Sequence, residues 1–161
     1  MKVPAYETID HFGVTVPDLD AAVDFFVGVL GAELWYQEGP FADPDADSMW
    51  SEMHVPPRSI ERLAMLRVDS SATIELLEFS RDGETDRDAP DLTGHSVAHI
   101  GLRVSDLDSA VGYLRKVEGV EVLSGPTTVE SGVAEGLRWI FFLTPWGLPM
   151  ELIEFPAGMS V

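Results

Sequence analysis

Hydrophobic and small or polar residues alternate near the start of the chain. Phe12, Val14 and Val16 take every second position, with His11, Gly13 and Thr15 between them. A period of two predicts a strand with two distinct faces. Val16-Pro17-Asp18 interrupts it, and Leu19, Ala22, Val23, Phe26 and Leu30 then recur at helical spacing up to Gly31, with Asp18 placed as N-cap. The pattern returns later, with Asp106 as cap and Leu107, Ala110, Val111 and Leu114 along a helix that ends by Gly119. Three strands are expected after each helix, at 33–37, 61–68 and 73–79, then at 120–123, 138–143 and 150–155.

This is an internal repeat. Residues 9–26 and 97–114 align without gaps at an offset of 88, and eight of eighteen positions are identical: His11/His99, Gly13/Gly101, Val16/Val104, Asp18/Asp106, Leu19/Leu107, Asp20/Asp108, Ala22/Ala110 and Val23/Val111. The closing strands also match, Ile74-Glu75-Leu76-Leu77-Glu78-Phe79 against Met150-Glu151-Leu152-Ile153-Glu154-Phe155, at an offset of 76. The first copy therefore holds twelve more residues, placed in an inserted loop at about 39–58. The expected organisation is one βαβββ module at 1–80, a polar linker at 81–95 and a second βαβββ module at 96–161.

The alternation also assigns faces. If Phe12, Val14 and Val16 pack on the helix, then His11, Gly13 and Thr15 point the other way, as do His99, Gly101 and Arg103 in the second copy. A mid-strand glycine often marks close approach by a ligand or a neighbouring backbone. Glu75 and Glu151 stand in otherwise apolar strands, where a carboxylate needs a charge partner or a metal. Two imidazoles and two carboxylates suit a divalent cation. Read singly, a strand histidine also serves as a structural hydrogen-bonder and a glutamate as part of a solvated face, so residue types alone leave these readings open.

Composition narrows the partners. Ten Lys+Arg against 28 Asp+Glu give a formal net charge of −18 in 161 residues. A surface that acidic disfavours nucleic acid and anionic membranes. With no cysteine, disulfides, thiolate metal sites and thiol catalysis are excluded. No apolar stretch reaches the ~18 residues of a membrane span, and the N-terminus lacks an apolar signal core, so a soluble, cytoplasmic protein is expected.

The motifs DHFGVTVPDLDAAVDFFVGVLG, IELLEF, VAHIGLRVSDLDSAV and PWGLPMELIEF resemble the vicinal oxygen chelate superfamily, which includes glyoxalase I, methylmalonyl-CoA epimerase, extradiol dioxygenases and bleomycin-resistance proteins. The resemblance runs from about Ile9 to Pro156. It implies an α+β fold in which the sheets of the two modules form a half-open barrel around a metal cleft. It places the metal ligands at His11, Glu75, His99 and Glu151, holding one divalent ion (Zn, Ni, Co, Mn, Mg or Fe) that chelates two vicinal oxygens of a small-molecule substrate.

Four such ligands imply the glyoxalase and epimerase branch, an isomerase, epimerase or lyase that moves a proton next to a carbonyl through a metal-chelated enediolate. Glu151 is the expected base and Glu75 its opposite partner, with Glu61 the candidate for a separate base. Glu75 departs from the glutamine that this branch often carries in its first module. The alternative is a non-catalytic drug- or metabolite-binding protein. The dioxygenase branch draws two histidines from one module and is disfavoured, because no histidine follows His99 and His95 precedes it by only four residues.

Arg103 is a candidate for a substrate carboxylate. Met49, Trp50, Met53 and His54 suit a lid over the substrate, with His54 as a further contact or proton relay. A CoA phosphate site would rest on Arg58, Arg62 or Arg138. The family also implies a homodimer.

Overall fold

A computed structural model describes residues 8–41, 60–69, 72–79 and 98–159. The chain divides into two compact units, Met1–Thr85 and Asp86–Val161. In the first, β1 (Phe12–Val16), α1 (Leu19–Gly28), β2 (Glu33–Glu38), β3 (Ile60–Arg67) and β4 (Thr73–Phe79) follow in order. The sheet runs β1-β4-β3-β2, with β1 parallel to β4 and the other pairs antiparallel. The second unit holds β5 (Ile100–Arg103), α2 (Leu107–Leu114), β6 (Glu121–Val122), β7 (Thr127–Thr128), β8 (Arg138–Leu143) and β9 (Pro149–Glu154). Its sheet runs β5-β9-β8-β6, with β7 also on β8 and β5 parallel to β9. Among the described residues, two mixed sheets and two helices make the expected α+β fold, and neither sheet closes into a barrel.

Each helix starts where its aspartate predicts. Asp18 is extended and its Oδ1 accepts from the Ala21 amide at 3.0 Å; Asp106 does the same for Ser109 at 2.9 Å. α1 buries Leu19, Ala22, Phe25 and Phe26 against Val16, Ala64, Leu66, Ile74 and Leu76. α2 buries Leu107, Val111 and Leu114, and Ile140, Phe142, Met150 and Leu152 are buried on its sheet. Fully burying one such side chain stabilises the fold by about 1.5–3 kcal/mol.

Two local expectations are corrected. Phe12, expected to pack on the helix, lies on the face of the buried Ile74 but is 57% exposed, because it opens an edge strand. The single strand expected at 120–123 is Glu121–Val122, and a second short strand, β7, lies beyond it. Both pair with β8, at opposite ends. Between them Gly125 has φ 138 and Pro126 has no amide hydrogen, so a continuous ladder cannot pass.

Candidate metal centre

The register of each sheet builds a His–Glu pair. Gly13 on β1 lies opposite Glu75 on β4, and Gly101 on β5 lies opposite Glu151 on β9. Residues directly opposite share a face, and His11 and His99 stand two positions before their glycines on that same face. The offsets of 88 and 76 thus lead both copies to one arrangement. His11 Nε2 is 3.4 Å from Glu75 Oε2, and His99 Nε2 is 3.2 Å from Glu151 Oε2. A Cβ on Gly13 would lie 3.8 Å from Glu75 Oε2, and one on Gly101 3.7 Å from Glu151 Oε2. The bare backbone of each glycine leaves the space across which the carboxylate reaches the imidazole.

These pairs fit a divalent metal. Two donors on one ion at ~2.0–2.2 Å stand roughly 3–3.5 Å apart, the spacing seen in both units. The histidines are about two-fifths exposed and the glutamates about one-fifth, so solvent reaches both pairs. Among the described residues, no three His, Asp or Glu side chains gather as a metal-holding group; the structure gives one pair in each unit.

The surroundings of the two histidines differ. His11 Nδ1 lies 2.8 Å from Asp10 Oδ2. At the corresponding position the second copy has Ala98, and the His99 ring instead meets Phe141 edge-on at 5.0 Å. Phe141 lies opposite Glu151 in the register, where the first copy has the buried Met65 opposite Glu75. Neither Asp10 nor Phe141 was singled out from the sequence, although Asp10-His11 adjacency was there to be read.

Other expected site residues are placed as follows. Arg103 lies 4.6 Å over the Phe155 ring and its Nη2 donates to the Met159 carbonyl at 3.5 Å. Glu61 is exposed at the irregular start of β3, and its carbonyl accepts from the Phe41 amide. Trp50, His54, Met49, Met53, His95 and Arg58 lie outside the described residues.

Arg62 and Arg138 are committed elsewhere. Arg62 donates to Glu78 at 2.7 Å and to Asp20 at 2.9 Å. Arg138 donates to Glu154 at 2.9 Å and to Asp108 at 2.8 Å. The same glutamates accept from the first helical amides, Leu19 N at 3.4 Å and Leu107 N at 3.3 Å. Each module thus ties its helix to its sheet by the same three side chains, and these two arginines are not free for a CoA phosphate. The guanidinium hydrogen bonds hold Asp20 and Asp108 below the usual carboxylate range.

A family profile described as the glyoxalase/bleomycin resistance protein/dioxygenase superfamily matches residues 8–152. The chain belongs to that superfamily. A 2-epi-5-epi-valiolone epimerase of an Actinomyces species is 40% identical over 159 residues, covering 97% of this chain and 84% of the relative. The chain is accordingly an enzyme of the superfamily's isomerase and epimerase class. Among solved structures, a glyoxalase family protein from Bacillus cereus superposes with a TM-score of 0.70 at 20% identity, over 96% of this chain and 99% of that one. The glyoxalase I of Leishmania major gives 0.60 at 21%, over 92% and 87%. A fosfomycin resistance protein of Listeria monocytogenes, in complex with Mn(II) and sulfate, gives 0.57 at 16%, over 94% and 95%. At such identities these structures speak for the fold.

Proposed function

We propose that this superfamily enzyme is a cytoplasmic, homodimeric epimerase that requires one divalent metal ion and inverts a carbon beside the carbonyl of a polyhydroxylated cyclic ketone of the valiolone kind. The observation that carries the reading is the repeated His–Glu pair, built on the same register in both units. The 40% identity to an epimerase supports the reaction and the ketone substrate. The ligands are His11, Glu75, His99 and Glu151: two neutral imidazoles and two carboxylates that together cancel the charge of a divalent ion. When bound, that ion supplies a Lewis acid for the ketone oxygen and its vicinal neighbour.

The protein's own residues move the proton. The C–H bond next to the carbonyl is acidic because its electron pair passes into the carbonyl on deprotonation. A carboxylate oxygen of Glu151, released from the ligand set, takes that proton, and a proton relayed from solvent by way of Glu75 returns to the other face, which inverts the centre. A second turnover requires the two glutamates to re-equilibrate with solvent. The exposed aromatic edge of the first sheet, with Trp35 at 56% and Tyr36 at 37% exposure, supports the homodimer.

Deuterium exchange in D2O tests the reading. With 2-epi-5-epi-valiolone as substrate, the metal-loaded protein is expected to exchange the α-proton and invert the centre, and Glu151→Gln to abolish both. A protein that binds the ketone tightly and leaves its α-proton in place would instead be a binding protein, and the proposal would fall.

A further inference from the structure

The two copies of the repeat orient their histidines by different means. His11 Nδ1 faces Asp10 Oδ2 at 2.8 Å, while His99 has Ala98 before it and the Phe141 ring in edge contact beside it. A carboxylate accepts and never donates when ionised, so the proton between Asp10 and His11 belongs to Nδ1. With Nδ1 protonated, the neutral ring keeps its lone pair on Nε2, the nitrogen that faces Glu75. The contact fixes the ring's rotation as well as its tautomer. A ligating imidazole held in this way by a carboxylate on its other nitrogen binds its metal more tightly. His99 has no such brace at Nδ1 among the described residues; its polar contact is at Nε2, 3.2 Å from Glu151 Oε2, and a carboxylate there favours the proton on the nitrogen that would face the ion.

We infer that Asp10 is a positioning residue that sets His11 as the stronger of the two imidazole ligands. The inference rests on the reading of His11 and Glu75 as metal ligands. Asp10 touches neither substrate nor the reacting carbon. Its side chain is 91% exposed, so water competes for the hydrogen bond and the effect belongs at the low end of the range for such outer partners, about tenfold in metal affinity.

The test uses the full chain, with Zn²⁺ affinity measured by competition against a chromophoric chelator. The ring tautomers are read separately in the metal-free protein by long-range 1H–15N correlation, at a pH of about 8, above the imidazole range. Asp10→Ala is expected to weaken Zn²⁺ binding about tenfold and to move His11 away from the Nδ1–H form, with the His99 signals and the unfolding temperature unchanged. Asp10→Asn, whose amide oxygen still accepts, is expected to keep the tautomer and recover part of the affinity. An Asp10→Ala protein with unaltered His11 tautomer and unaltered Zn²⁺ affinity overturns the inference alone. A wild type that takes up no Zn²⁺, or one whose uptake survives His11→Ala, overturns the metal reading and this inference with it.

Discussion

At the scale of single residues, the feature that shapes the site is a missing side chain. Gly13 and Gly101 leave open the strip of sheet over which a glutamate leans toward its histidine. The two positions are not equally tolerant. At Gly13 an added Cβ meets nothing nearer than 3.8 Å, an ordinary contact, whereas at Gly101 it meets Ile153 Cδ1 at 3.3 Å. Gly13→Ala is expected to leave the melting temperature and metal affinity near wild type, and Gly101→Ala to lower stability by up to about 1 kcal/mol. Valine at either position occupies the volume the carboxylate uses. Displacing a reacting group by about 1 Å costs on the order of a hundredfold in turnover, which steady-state kinetics on Gly101→Val would check. His11, Glu75, His99 and Glu151 were legible because duplication put them in phase twice. Asp10 and Phe141 have no counterpart in the other copy, so the repeat that singles out the two His–Glu pairs hides the residues beside them.

Among the elements, the last strand of each module serves two faces. Glu75 and Glu78 are three apart, an odd number, so one faces the histidine and the other the helix; Glu151 and Glu154 repeat this. Arg138 bonded to Glu154 and Asp108 ties three elements together, and Arg138→Ala is expected to lower the Tm at neutral pH more than Arg115→Ala does. The folded-state pKa values of Asp20 and Asp108 are depressed. Their contribution is therefore present above the unfolded carboxylate pKa, near 4, and is lost as the pH falls through the folded value. Thermal melts from about pH 7 down to 3 should show the Arg138→Ala deficit shrinking below about pH 4. A further element boundary depends on Gly39, whose φ is 116 and whose Cβ would lie 2.5 Å from the Glu61 carbonyl oxygen. Gly39→Ala is expected to cost about 2–3 kcal/mol in denaturant titrations. Strands β4 and β8 were readable to the residue, β4 through its repeat in the second copy and β8 as a short, nearly continuous apolar run. The broken edge at β6 and β7 was not, because the interruption comes from backbone angles at Gly125 that hydrophobic patterning does not encode.

For the molecule as a whole, charge and stoichiometry are linked. A net charge of −18 raises the local concentration of divalent cations and repels polyanions, so metal uptake should slow as salt is added. With Arg62 and Arg138 locked to carboxylates, a neutral polyol is also a better match to the described surface than a phosphate-rich molecule. Elemental analysis of metal-loaded protein is expected to give one ion per chain; two would mean that each His–Glu pair works alone. Chelation is expected to abolish epimerisation and to lower the Tm, since an ion bound only by the folded state stabilises it by mass action. Fold class and family were legible because the same pattern occurs twice over nearly the full length. The substrate was not, since ligand residues specify the chemistry at two oxygens and leave the rest of the molecule unstated.

The doubled use of β4 and β9 has a consequence for how the protein tolerates error. Sliding either strand by one residue would turn Glu75 or Glu151 toward the helix and Glu78 or Glu154 toward the histidine. The helix tether and the proposed metal donor would be lost in the same event, so a chain mis-threaded in this way keeps neither. Faulty copies are silent as well as unstable, and turnover per milligram of protein then serves as a direct gauge of how faithfully the chain has been threaded.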